Sequence, residues 1–179
     1  METKTKILVV DDQESNRKLL QELITNMGHE VVLACDGEEA LEKINGMPDM
    51  VLLDISMPKK NGLEVLEIVK ANDATKHIPI IIISYLGDMN IKIKAIKLGV
   101  DEFLLKPFDE LELTVRIQNI LKVKKYNDYA KSFNTMLQQA VEKRTKELET
   151  ANKKLNRMNV DTIYRLASAA EYRDDSTGM

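Results

Sequence analysis

Five short apolar runs without polar alternation constrain this chain more than any other feature. Ile7-Leu8-Val9-Val10, Val31-Val32-Leu33-Ala34, Met50-Val51-Leu52-Leu53, Pro79 to Ile83 and Phe103-Leu104-Leu105 recur through the first two-thirds of its 179 residues. A strand with one wet face alternates apolar and polar residues, so strands apolar throughout belong to a sheet covered on both sides. Between them lie stretches with helical spacing. From Ser15 to Met27 apolar residues stand at Leu19, Leu20, Leu23, Ile24 and Met27, with Gly28 as the stop. Asp36-Gly37 reads as a turn, with Asp36 the N-cap of a short helix from Glu38 to Ile44. Further helices are expected at Gly62 to Ala71 and Asp88 to Leu98. Strands and helices in this alternation make an α/β domain, a doubly wound five-stranded parallel sheet.

After Pro107 the texture changes. From Phe108 to Thr177 there is no Gly and no Pro. One helix of that length would run roughly 100 Å at ~1.5 Å per residue, too long for one compact core. The expected division is an amphipathic fifth helix, with Leu111, Val115, Ile117, Ile120 and Leu121 among its buried positions, continuing as a partner-seeking helix. Ala130, Leu137, Ala151 and Met158 share one heptad position, and Val141, Leu148 and Leu155 share the other. This is a coiled-coil seam, interrupted by Asn127, Asn134 and Arg144, polar residues that lower stability while fixing register and strand number. Near Asn159 to Thr162 the phase shifts, and Ile163, Leu166, Ala167 and Ala170 form a new stripe, as at the junction with another module. The expected organisation is a domain over 1–124, a coiled-coil linker helix over 125–160 and the start of a further domain over 161–179.

Composition narrows the function. The formal charge is −3, and the stretch from Tyr126 onward carries nine basic against eight acidic residues, so no nucleic-acid partner is expected. A lone Cys closes no internal bridge, the N-terminal apolar stretch is too short for a secretion signal, and nothing approaches the ~18 unbroken apolar residues of a membrane helix. A cytoplasmic protein with no membrane partner is expected. There is no nucleophile elbow, no Gly-rich phosphate loop and no clustered His, since His29 and His77 stand apart.

The chemistry collects at the strand ends. Asp11-Asp12 follow the first strand, Asp54 the third, Ser84 the fourth and Lys106-Pro107 the fifth. In a parallel sheet these ends face one crevice, where ligands of open α/β folds bind. Three carboxylates brought together repel one another, and their pKa values rise unless a cation compensates. Hard oxygen donors select Mg²⁺, which binds through few carboxylates plus phosphate, and a lysine with a hydroxyl at the same edge complements phosphate oxygens.

The ordered set Asp11-Asp12, Asp54 with Met57-Pro58, Gly62, Ser84, Phe103 and Lys106-Pro107 resembles the receiver domain of two-component response regulators over residues 5 to about 124. The resemblance implies a flavodoxin-like sheet of order 2-1-3-4-5. It implies that Asp54 is the phosphoacceptor, taking a phosphoryl group from a phosphohistidine on a partner sensor histidine kinase. It implies Mg²⁺ held by Asp12, Asp54, the backbone carbonyl of Ser56 and, through water, Asp11. Lys106 would pair with a phosphoryl oxygen, Ser84 would move to bond another, and Phe103 would rotate into the vacated space. The Lys106-Pro107 bond is cis in that family. Lys106→Ala is expected to leave folding largely intact while uncoupling phosphorylation from the response. Tyr85 departs from the small residue usual at the phosphoryl entrance, and a bulky ring there would slow phosphotransfer or exclude small phosphodonors unless it points outward. That departure keeps open a phosphorylation-independent scaffold as the alternative.

Glu142 to Leu155 is similar to the signalling helices that join such modules to many outputs, which implies a parallel homodimer. Ile163 to Gly178 resembles the opening helix of HD-GYP domains, metal-dependent phosphodiesterases of cyclic di-GMP. The expectation is therefore a chain that is no enzyme beyond phosphoryl transfer to and hydrolysis from Asp54, cut where an HD-GYP output begins.

Overall fold

The structure, a computed structural model, describes residues 4–85 and 89–174, with side chains as far as residue 167. Strands and helices alternate as β1 (Lys6–Val10), α1 (Glu14–Asn26), β2 (Glu30–Ala34), α2 (Gly37–Ile44), β3 (Met50–Asp54), α3 (Gly62–Ala71), β4 (Ile80–Ser84), α4 (Met89–Lys97), β5 (Glu102–Leu105) and α5 (Glu110–Asp174). The strands pair in parallel in the order β2-β1-β3-β4-β5. Asp88, expected to open the fourth helix, lies outside the described residues.

Side chains of successive strand residues go to opposite faces and build two cores. Leu8, Val10, Val51, Leu53, Ile80 and Ile82 pack with Ala40, Ile44, Val65, Leu66, Val69 and Ala95 from α2, α3 and α4. Ile7, Val9, Met50, Leu52, Ile81 and Ile83 pack with Leu20, Ile24, Leu113 and Ile117 from α1 and α5. This is why β1, β3 and β4 lack polar alternation: both faces are dry. Full burial of each large aliphatic side chain contributes about 1.5–3 kcal/mol.

Helix ends follow local chemistry. Gly28 takes φ +87° after α1, its N–H donating to the Thr25 carbonyl at 2.9 Å and the His29 N–H to the Ile24 carbonyl at 3.2 Å. This paired closure needs a left-handed residue, which glycine supplies at least cost. Asp36 caps α2 as expected, its Oδ1 accepting the N–H groups of Glu38 and Glu39, both at 2.9 Å. Asn61 and Glu64 cap α3 reciprocally.

One expectation is corrected in α5. Leu113 and Ile117 are fully buried and Ile120 and Leu121 pack partly against the core, but Leu111 is 71% and Val115 45% exposed. At ~100° per residue, Leu111 and Val115 each stand about 200° from Leu113 around the helix.

The chain divides into two compact units, Met1–Tyr126 and Asn127–Met179. In the second, described by itself, the heptad residues Leu137, Val141, Leu148, Leu155 and Met158 are exposed, as are Tyr129, Phe133 and Met136, which stand beside the heptad positions. Arg144 pairs with Glu147 at 3.0 Å and Arg165 with Asp161 at 3.1 Å, the short-range pairing typical of a solvated helix surface.

Candidate functional site

The sheet order places β1 and β3 side by side where the winding reverses, so Asp11, just after β1, and Asp54, the last residue of β3, open onto one crevice. Lys106 comes from the end of β5, two strands beyond β3. With neighbouring strands about 4.8 Å apart, only a long side chain crosses β4 to reach Asp54. The Lys106 Nζ lies 3.0 Å from Asp54 Oδ1 and 2.6 Å from Asp11 Oδ2, and all three side chains are almost wholly buried. The Lys106-Pro107 peptide is cis, and the Lys106 N–H donates to the Ser84 carbonyl at 2.8 Å.

Each carboxylate is held at its remaining oxygen. The Ser56 N–H donates to Asp54 Oδ2 at 3.0 Å. Asp11 Oδ1 accepts the Gln13 N–H at 2.9 Å, and the Asn16 amide donates to both of its oxygens, at 3.0 and 3.1 Å. The Arg17 guanidinium donates to the main-chain carbonyls of Asp11 and Asp12, at 2.6 and 2.9 Å. Asn16 and Arg17 were not singled out from sequence. The available pointer was position, since the first turn of a helix following a strand in a doubly wound fold lies over the strand ends.

Charge and burial oppose one another here. Burial pushes the Asp54 carboxyl above its ordinary range, and the Lys106 ammonium only partly offsets it. Burial pulls Lys106 down, but the carboxylates of Asp11 and Asp54 outweigh it and leave the ammonium more firmly protonated than usual.

The other expected residues surround this triad. Ser84 is 1% exposed at the end of β4, one residue beyond Ile83, which pairs with Asp54. Phe103 is partly buried against the core. Asp12 and Ser56 are exposed. Tyr85 is 61% exposed, yet its ring centroid lies 4.9 Å from Lys106 Nζ. It both faces solvent and covers the lysine. Gly62 has a spatial reason: a Cβ there would sit 2.2 Å from the Asp54 carbonyl oxygen, so α3 can start this close to Asp54 only with glycine.

Among the described residues no three Asp, Glu, His or Cys side chains converge on one ion position: Asp11 and Asp54 share the Lys106 ammonium, and Asp12 is exposed. The donors nevertheless suit a hard divalent cation. The buried Asp11 and Asp54 set two negative charges against the one positive charge of Lys106, the exposed Asp12 adds a carboxylate after the same strand as Asp11, and the main chain at Ser56 offers a neutral carbonyl oxygen.

Comparison with known proteins agrees with this geometry. The model of the response regulator receiver domain family matches residues 7–118. The chain is 45% identical over 124 residues to a "Probable transcriptional regulator ycf27" of Guillardia theta, covering 68% of this chain and 47% of that protein. It is 41% identical over 117 residues to the transcriptional regulatory protein CpxR of Escherichia coli K12, covering 65% and 49%. The receiver domain of the Francisella response regulator 1452 superposes with a TM-score of 0.62 at 32% identity, over 66% of this chain and 98% of that one. A five-stranded 2-1-3-4-5 sheet with a buried Asp-Lys-Asp group at its strand ends has the architecture of a response regulator receiver domain. The chain belongs to the response regulator receiver domain family. It spans about half the length of the curated relatives it matches.

Proposed function

We propose that the chain is a phosphorylation-driven switch in which Asp54 accepts a phosphoryl group from a phosphohistidine of a sensor histidine kinase. The carboxylate oxygen of Asp54 forms a new bond to phosphorus as the phosphorus–nitrogen bond breaks, and the imidazole nitrogen keeps the electron pair and is protonated. The product is an acyl phosphate. The observation that carries this reading is the Lys106 ammonium bridging Asp11 and Asp54 in a buried pocket at the strand ends. Mg²⁺ would be held by Asp12, Asp54 and the Ser56 carbonyl, with Asp11 acting through water, and it neutralises the charge that keeps a carboxylate from approaching a phosphoryl group.

Lys106 already lies beside an Asp54 oxygen and is placed to follow the added charge outward. That movement gives up its hold on Asp11, and Asn16 and Gln13 remain to satisfy Asp11. Ser84 at the end of β4 and Phe103 on the neighbouring β5, paired with Ile82, carry the change to the surface. A covalent charge biasing a two-state group of this kind is a general switching device. Tyr85, lying over Lys106, narrows the approach and disfavours small phosphodonors relative to a docked kinase. The test is incubation with Mg²⁺ and a phosphorylated histidine kinase. A mass increase of one phosphoryl group, lost in Asp54→Ala and on chelation of Mg²⁺, supports the switch; no increase supports a phosphorylation-independent scaffold.

Residues 125–160 are read as a coiled-coil linker, its exposed apolar seam supporting a homodimer. Residues 161–179 are read as the opening of an HD-GYP output, supported by the resemblance at Ile163 to Gly178. Residues 175–179 of that stretch lie outside the described residues. A second reading, a DNA-binding output, is favoured by the names of the curated relatives, although their similarity lies in the receiver region. In the native gene product, a His soon after Gly178 and then a His-Asp pair would support the phosphodiesterase. A basic DNA-binding domain in that place would support the second reading.

A further inference from the structure

The one proposed metal donor that is not a carboxylate, the Ser56 carbonyl, belongs to the backbone. Its position is set by the conformation of the β3–α3 loop, Ser56 to Asn61, and by nothing in its own side chain. The loop is closed at its base, where the N–H groups of Met57 and Gly62 both donate to the Ile55 carbonyl, at 3.1 and 3.0 Å. At its tip Lys59 adopts φ +63°, a left-handed conformation unfavourable for a residue with a side chain. Some contact must hold it there.

That contact comes from a neighbouring element, the start of α2. Lys59 Nζ lies 2.6 Å from Asp36 Oδ2 and 3.8 Å from Glu38 Oε2. Asp36 is 4% exposed, and its other oxygen is fixed by the two N–H groups it caps at the start of α2. The α2 backbone also touches the loop directly, since a Cβ on Gly37 would fall 2.4 Å from the Lys60 carbonyl oxygen. The tip of the loop is thus strapped to the first turn of α2, and its base to Ile55, the residue after Asp54.

We propose that Asp36 and Lys59 form a strut that positions the Ser56 carbonyl, making both of them positioning residues for Mg²⁺ binding beside Asp54. This rests on the reading of the pocket given above and adds to it two residues remote from the metal. The strut explains why a lysine is placed where glycine would adopt the backbone angle freely. Lys59→Gly relieves the backbone and removes the strut together, so thermal stability and metal affinity are expected to part company.

The experiment uses the full chain, with Mg²⁺ affinity from calorimetric titration and amide hydrogen exchange at Met57 and Gly62 measured without metal. Asp36→Asn keeps a capping oxygen and removes the charge, and Lys59→Arg keeps the charge. Lys59→Gly and Asp36→Asn are each expected to raise the Mg²⁺ Kd about three- to tenfold and to speed exchange at both amides. The double variant is expected to be no weaker than either single one, since the two residues act through one contact. Lys59→Arg should restore slow exchange and most of the affinity. Unchanged exchange and an unchanged Kd in Lys59→Gly would overturn the strut, as would additive losses in the double variant. A wild-type chain that binds no Mg²⁺ would instead overturn the reading of the pocket itself, and exchange rates would still report on the strap.

Discussion

Lys106 shows how one residue can serve both stability and chemistry. Its ammonium lies between two buried carboxylates, so truncation leaves two charges uncompensated. The sequence-based expectation that Lys106→Ala folds largely as wild type is therefore revised. Breaking a buried pair on one side typically costs about 3 kcal/mol or more, and denaturant unfolding of Lys106→Ala at neutral pH should show a loss of that order. Added Mg²⁺ should recover part of it by supplying positive charge to the same oxygens; equal stability of variant and wild type without Mg²⁺ would contradict the account. Asp54 behaves in the opposite sense. Its carboxyl is raised above 3.8 on folding, chiefly by burial, so its ionisation opposes the folded state once the pH passes that value. Asp54→Asn should therefore be more stable than wild type at pH 7, with the advantage shrinking on acidification toward 3.8, as followed by chemical unfolding at the two pH values. Asp11, Asp54 and Lys106 were legible because a parallel sheet sends every strand end to one crevice. Asn16, Arg17 and the Asp36–Lys59 pair were not, because their roles are contacts between segments distant in sequence or details of backbone angle that residue type does not announce.

At the scale of elements, unbroken apolar runs sufficed to identify β1 to β5, and Gly28 and Asp36 marked helix ends through chemistry that is local. Strand membership of Asp54 and Ser84 was less legible, since a polar residue at the end of an apolar run does not show whether the ladder continues through it. In α5 the apolar residues outnumber those the core can cover, so composition alone left the phase of the helix ambiguous. The packing settles it: Leu113→Ala and Ile117→Ala should each cost about 2–5 kcal/mol, as for buried aliphatic truncations generally. Leu111→Ala and Val115→Ala should change stability by no more than about 0.5 kcal/mol. Equal losses at Leu111 and Leu113 in thermal or denaturant unfolding would show that the helix is rotated from the orientation described.

For the molecule as a whole, phosphoryl capture is the role proposed for the receiver unit, and self-association the role proposed for the exposed seam of the second unit. Sedimentation of the full chain should give a dimer, and replacing Leu148 and Leu155 together by polar residues should shift it toward monomer; unchanged mass would remove the seam as the main interface. The proposed switch depends on where the phosphoryl group goes. Borohydride converts an aspartyl phosphate to homoserine, so reduction after phosphotransfer from a histidine kinase, followed by peptide mapping, reads the acceptor directly. The account predicts homoserine at position 54 and nowhere else, absent when Mg²⁺ is chelated. Homoserine at another aspartate, or none after efficient loss of phosphate from the kinase, would contradict it.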